Sequence, residues 1–199
     1  MTKILFATNN QNKILEIQTA IGNTLQVVGL KESGIFITIP EPYETLQENA
    51  SEKSSTIFAL TGMSCFSEDS GLEVYALNAL PGVHSARYAG DHCSDRDNID
   101  KLLLSLTGIH ERMARFRTII SLIWGGKEYF FEGTCRGYIS KEKRGTNGFG
   151  YDPVFVPAGS ELTFGQMTLE EKNRFSHRKK AAEGLVRFLQ EQTHITTFD

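Results

Sequence analysis

The chain has 199 residues, 40% of them hydrophobic and 23% charged, with a formal net charge of −3. That length suits one domain or two closely joined lobes around a substantial core. So small a net charge argues against a general nucleic-acid or membrane-surface binder, while leaving room for a local basic pocket.

Lys3 to Thr8 reads as a buried strand, and Asn9-Asn10 turns the chain. Ile14, Leu15, Ile17, Ala20 and Ile21 form a helical stripe over 11–21, closed by Gly22-Asn23. The polar knot Thr8-Asn9-Asn10-Gln11-Asn12-Lys13 thus joins a strand end to a helix N-terminus, where free amides and the helix dipole favour an anion. The same knot also reads as an N-cap cluster beside a solvated lysine. No G-x-x-x-x-G-K-[ST] run is present, so it is not a P-loop. Residues 26–30 and 35–39 are expected to be strands. Pro40-Glu41-Pro42-Tyr43-Glu44 is a stiff acidic connection. A helix over 46–60 is expected to carry Lys53 on its surface.

Ser67-Glu68-Asp69-Ser70-Gly71-Leu72 lies between two β-like runs, 63–66 and 72–75, and is expected to turn sharply. Glycine there would allow close approach to a ligand or a positive φ. The two carboxylates could hold a hard divalent cation or take a proton from water; a solvated acidic turn is the other reading.

Residues 78–90 form an irregular loop punctuated by Pro81, Gly82 and Gly90. Ser94-Asp95-Arg96-Asp97 resembles a capping box and opens a helix to Gly108. Residues 115–124 and 128–134 read as strands joined by a turn at Gly125-Gly126, with 136–140 continuing the sheet. In the glycine-dense loop 145–153, Phe149 or Tyr151 could offer a stacking face to a flat ring, an interaction worth about 1–3 kcal/mol per base. A plain turn into a strand at 154–156 is the alternative. Thr168-Leu169-Glu170-Glu171 opens a short helix carrying Lys172, and Ser176 caps a final helix over 177–192. The basic first turn of that helix, His177-Arg178-Lys179-Lys180, opposes the macrodipole and implies an anionic or electron-rich partner, unless it is simply a solvated face.

Cys65, Cys93 and Cys135 are odd in number and lack C-x-x-C spacing, so neither a disulfide framework nor a zinc site is expected. The opening KILFAT reads as a strand rather than a leader, and no apolar run approaches the roughly 20 residues of a membrane span. The expected compartment is a reducing cytoplasm. Acids able to hold a cation (Glu41, Glu68, Asp69), cations (Lys13, Lys53, Lys172, Arg178), an anion-ready junction and an aromatic glycine loop together match the needs of a nucleoside triphosphate with Mg²⁺. No Ser or Cys nucleophile motif stands out, which favours direct attack by water.

Five stretches, taken in order, resemble the inosine triphosphate pyrophosphatase family across nearly the whole chain: 7–13, 68–72, 81–90, 148–153 and 176–178. The resemblance implies a mixed α/β fold with a long curved β-sheet, flanking helices and two lobes around a deep cleft. It implies a single domain over 1–199, and a homodimer. The implied activity is house-cleaning: Mg²⁺-dependent hydrolysis of abnormal purine nucleoside triphosphates (ITP, dITP, XTP) to monophosphate and pyrophosphate, without nucleic-acid or membrane partners. By position, Asp69 would be the proton acceptor and a metal ligand, with Glu41 and Glu68 the other metal-associated acids. Thr8, Asn9, Asn10, Lys13 and Lys53 would hold the triphosphate, and Ser70 and Lys172 would contact the ligand. Phe149 would stack on the purine with Gly150, Tyr151 and Asp152 around it, and His177 and Arg178 would face the base edge. Two departures stand out. Ala79 occupies a position where the family usually has glycine, and 41–45 lacks the family's common glycine, so Glu41 and Glu44 compete for the metal role; the register set by 45–50 favours Glu41.

Overall fold

A computed structural model describes residues 3–195, with side chains described as far as 192. The fold is mixed α/β. Among the described residues a seven-stranded sheet runs in the order β2-β1-β3-β5-β6-β7, with β4 paired to β3. The strands are β1 (Lys3–Phe6), β2 (Gln26–Gly29), β3 (Cys65–Val74), β4 (Pro81–Gly82), β5 (Met113–Trp124), β6 (Lys127–Ile139) and β7 (Phe155–Pro157). The helices are α1 (Gln11–Ile21), α2 (Leu46–Thr61), α3 (Asp95–Ser105), α4 (Leu169–Asn173) and α5 (His177–Ile195).

The chain divides into two compact units that interleave in sequence. Unit 1 comprises Met1–Asp69, Thr118–Gly133 and Arg178–Asp199, and unit 2 comprises Ser70–Arg117 and Thr134–His177. In unit 1, β1 pairs in parallel with β2 and with β3, through Leu5↔Cys65 and Phe6↔Phe66. Strand alternation sends Ile4 and Phe6 into one apolar cluster with Ile17, Ile120 and Leu185, and Leu5 and Ala7 into another with Ile57 and Cys65. A parallel strand buried on both faces must be apolar throughout, which is why ILFA reads without alternation. In unit 2, Phe116, Phe155, Phe164, Leu72 and Val74 form the core, and β6 pairs antiparallel with β7.

The helix signals are realised at atomic level. Asn10 caps α1 by accepting from the Asn12 and Lys13 amides, and Thr45 caps α2 by accepting from the Glu48 amide. The Ser94–Asp97 and Thr168–Glu171 capping boxes are both closed. The hairpin turn at Gly125-Gly126 joins β5 to β6, and β6 runs unbroken through residues 127–139.

Three local expectations are corrected. Residues 35–39 are not a strand; Ile35, Ile37 and Ile39 pack half-buried on the Leu5 cluster from an irregular segment. Lys53 is buried, at 7% exposure, rather than on the helix surface. Most consequentially, 67–71 does not turn, because β3 passes straight through it. Gly71 serves the sheet itself: a Cβ there would lie 2.8 Å from the Gly82 carbonyl carbon on β4, so only glycine permits the pairing of β3 with β4.

Ala79 has φ +65°, in the left-handed region that a Cβ disfavours. Ala79→Gly should therefore stabilise the protein by about 0.5–1 kcal/mol, the relieved strain exceeding the added unfolded-state entropy. Urea unfolding midpoints measure this, and a lower midpoint for the variant would contradict it.

Candidate functional site

Because 67–71 is a strand, adjacent residues point to opposite faces of the sheet. Cys65, Ser67 and Asp69 share the face covered by α2, where the Ser67 hydroxyl donates to the Ala50 carbonyl and Cys65 Sγ lies 3.4 Å from the Ser54 carbonyl. Phe66 and Glu68 share the other face, where Phe66 stacks on Phe6 at 4.3 Å. The two carboxylates expected to act side by side in a turn are thus divided between two environments.

On the α2 face, Lys53 Nζ donates to Asp69 Oδ1 at 2.8 Å and to Glu41 Oε1 at 2.6 Å. Lys53 reaches that point because Ala50, Lys53, Ser54 and Ile57 repeat at helical spacing on the buried side of α2. Glu41 is delivered by a clamp: buried Asn49 accepts from the Tyr43 amide at 3.0 Å and donates to the Tyr43 carbonyl at 2.9 Å. This placement favours Glu41 over Glu44, which is exposed. Burial raises the Asp69 carboxyl to about 6; Lys53 opposes that rise and the Glu41 charge adds to it. Burial alone would lower the Lys53 ammonium, but Asp69 and then Glu41 outweigh it and raise it.

On the opposite face, Glu68 lies 2.7 Å from Lys13 Nζ, and Arg178 donates to it through Nε at 2.9 Å and Nη2 at 3.3 Å. Arg178 Nη1 also donates to Glu16. Burial would raise the Glu68 carboxyl, but Arg178 and Lys13 hold it well below the usual carboxylate range. Glu16 is the member that sequence reasoning missed. Leu15, counted in the apolar stripe, is 57% exposed, whereas Glu16 is 5% exposed. The available signal was spacing, since Lys13, Glu16 and Ile17 fall at i, i+3 and i+4 on one helix face. Arg178, in the basic first turn of α5, therefore has its anionic partners within unit 1, in Glu16 and Glu68, while Lys179 lies 3.6 Å from Glu183 one turn on.

At the end of β1, the Thr8 hydroxyl accepts from the Asn10 amide at 3.2 Å, and Asn10 is committed to capping α1. Asn9 Nδ2 donates to the Ile37 carbonyl at 3.4 Å, and its buried Oδ1 accepts no hydrogen bond among the described residues. The N-cap reading of this knot thus holds for Asn10, and Asn9 keeps an unsatisfied polar atom beside it.

Unit 2 gathers the remaining candidates. The Asp152 carboxylate accepts from the Phe149 amide at 3.0 Å and from Lys172 Nζ. The same ammonium lies 5.3 Å from the Phe149 ring and 5.2 Å from the Phe164 ring. Tyr151 is buried and donates its hydroxyl to the Ser85 carbonyl at 2.8 Å. Gly150 follows at φ +58°, His177 stacks on Phe116 at 4.7 Å, and Ser70 is half-buried on β3.

Among the described residues no three His, Cys, Asp or Glu side chains gather as a complete metal cage. Two carboxylates converging on one ammonium could instead hold a hard divalent cation that completes its shell with water and other oxygen ligands. The donors available in unit 1 are Asp69 and Glu41, because Glu68 is committed to Lys13 and Arg178. Among the described residues, Lys13, Lys53 and Arg178 meet Glu16, Glu41, Glu68 and Asp69 there.

A family model describing the Ham1 family matches residues 4–188. The chain is 45% identical over 186 residues to a dITP/XTP pyrophosphatase of Flavobacterium psychrophilum, covering 94% of this chain and 98% of that one. It is 47% identical over 190 residues to a dITP/XTP pyrophosphatase of Porphyromonas gingivalis, covering 95% and 98%. The solved Staphylococcus aureus Ham1 protein superposes with a TM-score of 0.86 at 38% identity, covering 96% of this chain and all of that one. A HAM1 protein from Coxiella burnetii gives 0.86 at 34% identity with the same coverage.

The pairing of Arg178 predicts a stability effect. Arg178→Ala should cost about 3–5 kcal/mol, since it removes the guanidinium that two buried carboxylates share. Denaturant unfolding reads this directly; a loss under about 1 kcal/mol would mean that Glu16 and Glu68 do not depend on the guanidinium.

Proposed function

The chain belongs to the Ham1 family, and from that premise we propose that it is a nucleoside triphosphate pyrophosphatase acting on abnormal purine nucleotides such as dITP, XTP and ITP. It cleaves them to monophosphate and pyrophosphate and so clears them from the nucleotide pool. The observation that carries this reading is the buried Asp69, held by Lys53 beside Glu41, with its carboxyl raised to about 6. A carboxylate so tuned is a competent proton acceptor near neutral pH.

In the proposed reaction, water attacks the α-phosphorus while Asp69 accepts its proton. The bond from the α-phosphorus to the bridging oxygen breaks, and pyrophosphate leaves with the electron pair. Lys13 and Lys53, with Thr8, Asn9 and Asn10, balance the negative charge that collects on the triphosphate. Mg²⁺, held by Asp69 and Glu41, would supply Lewis-acid neutralisation of the phosphate oxygens. Glu68 supports this machinery by holding Lys13 and Arg178 in place.

The purine is assigned to unit 2. Phe149 offers the stacking face, with Gly150, Tyr151, Asp152, Lys172 and Ser70 around it and His177 at the base edge. Hypoxanthine and xanthine present a carbonyl acceptor at purine position 6, whereas adenine presents an amino donor that would leave buried donors facing one another. Guanine keeps the carbonyl and must be rejected at its 2-amino group. Unpaired buried polar groups discriminate on the order of 10⁴-fold, beyond the reach of an apolar pocket. We further propose that residues 1–199 act as one catalytic domain, that the protein is a homodimer, and that it works in the cytoplasm. Three free cysteines and, among the described residues, no helix long and apolar enough to cross a membrane support the compartment.

Pyrophosphate release measured with Mg²⁺ on ITP, dITP, XTP, ATP, GTP and dUTP tests the assignment. The abnormal purines should dominate; preference for the pyrimidine, or tight ITP binding without monophosphate release, would overturn it. Asp69→Asn should lower kcat by about 10²-fold or more with folding retained. The base acts only when ionised, so kcat/KM should fall about tenfold per pH unit below roughly 6. A flat acid profile down to pH 5 would remove Asp69 from the base role.

A further inference from the structure

The rigidity of the stacking loop has a source outside the loop. The Phe149 amide donates to the Asp152 carboxylate at 3.0 Å, and the next amide, that of Gly150, donates to Asp95 Oδ2 at 2.7 Å. Both peptide groups flanking the Phe149 Cα are therefore tied to carboxylates, and hydrogen bonds to charged acceptors are the stronger kind. Fixing both flanking peptides fixes φ and ψ of Phe149, and with them the plane its ring can present.

Asp95 is itself firmly placed. It is the first residue of α3, directly after the closed capping box of Ser94 and Asp97. Asn98, one turn later and buried, donates to the Ala86 carbonyl at 3.2 Å and accepts from the Ala89 amide at 2.8 Å. The segment so anchored also includes Ser85, whose carbonyl accepts the Tyr151 hydroxyl at 2.8 Å. Helix α3, the 85–89 segment and the 149–152 loop thus form a closed hydrogen-bonded triangle within unit 2. Its corner at Asp95 lies on the exposed surface, so the Asp95–Gly150 bond ties the loop to α3 without adding an apolar contact to the core.

From this geometry we propose that Asp95 is a positioning residue for substrate: through the Gly150 amide it holds Phe149 in the conformation that stacks on the purine. The inference rests on the assignment of Phe149 to the base. An exposed carboxylate whose one backbone partner sits next to the stacking residue acts on binding more than on folding. Without the tether the loop must be ordered by the substrate itself, and that ordering cost appears in apparent affinity.

Two measurements separate the tether from the reading beneath it. In the protein without nucleotide, Asp95→Ala should speed hydrogen exchange at the Gly150 amide, while Asp95→Asn, which keeps an acceptor oxygen, should not; unchanged exchange in Asp95→Ala removes the tether. In steady-state hydrolysis of ITP, Asp95→Ala should raise KM roughly tenfold with kcat little changed, the loss expected of one charge-assisted bond. Asp95→Asn should return KM to within about threefold of the parent. A raised KM with a parallel drop in melting temperature and no rescue by asparagine would make the residue merely structural and sink the proposal, as would an unchanged KM. If the parent protein hydrolyses none of the purine triphosphates, the functional assignment fails, and the exchange result still decides whether Asp95 orders the loop.

Discussion

The Lys53 ammonium, 7% exposed and shared between Asp69 and Glu41 at 2.8 and 2.6 Å, is the contact from which the chemistry of unit 1 follows. An ammonium taken out of water costs several kcal/mol unless carboxylates replace the lost solvation. Asp69 and Glu41 do so, and in return Lys53 offsets part of the repulsion between them. The arrangement holds two carboxylates close together and raises one of them, a condition that suits both transfer of a proton and capture of a divalent ion.

The strand underneath makes this possible by separating neighbours. Glu68 and Asp69 are consecutive, yet alternation gives them opposite fates. Burial pushes Asp69 up, with Lys53 and, more weakly, Lys13 opposing the rise and the like charge of Glu41 adding to it; Glu68 faces the Arg178 guanidinium and Lys13, which together push it down against burial. Titratable neighbours driven apart by their surroundings are a recurrent way of dividing labour between two acids. Here Glu68 stays ionised as the anchor for Lys13 and Arg178, and Asp69 is raised above the usual carboxylate range. A turn at 67–71 would have placed both in one environment and lost that division.

Unit 2 solves a different problem with the same kind of bond. The stacking ring proposed at Phe149 would be useful only if held still, and glycine-rich backbone is intrinsically loose. Carboxylate acceptors supply the restraint: Asp152 on the Phe149 amide, Asp95 on the Gly150 amide. Glycine remains obligatory at 148, since φ is +75° and a Cβ there would come within 2.9 Å of Asp152 Cγ, displacing the carboxylate that does the holding. Lys172 closes the arrangement by neutralising Asp152 while lying near the Phe149 ring.

Much of this was legible in one dimension, because some of its causes are local. The caps at Asn10, Ser94 and Thr168, the apolar run of β1 and the hairpin at 125–126 depend on residues within a few positions of one another, so composition and periodicity report them. Candidate residues could likewise be named by type and order. Sequence could not say which groups face each other. It put Lys53 on a surface, counted Leu15 in the core in place of Glu16, and bent the chain at Glu68-Asp69, because polar residues in a row look like a turn until their partners are known. Those partners are remote: Arg178 lies 110 residues from Glu68 and 162 from Glu16. Burial of a charge is decided by whether an opposite charge arrives, a property of the folded chain alone. The amino-acid order therefore determined the elements and the inventory of chemical groups, and only the tertiary structure decided their pairing, since Coulomb attraction and desolvation act through space without regard to sequence distance.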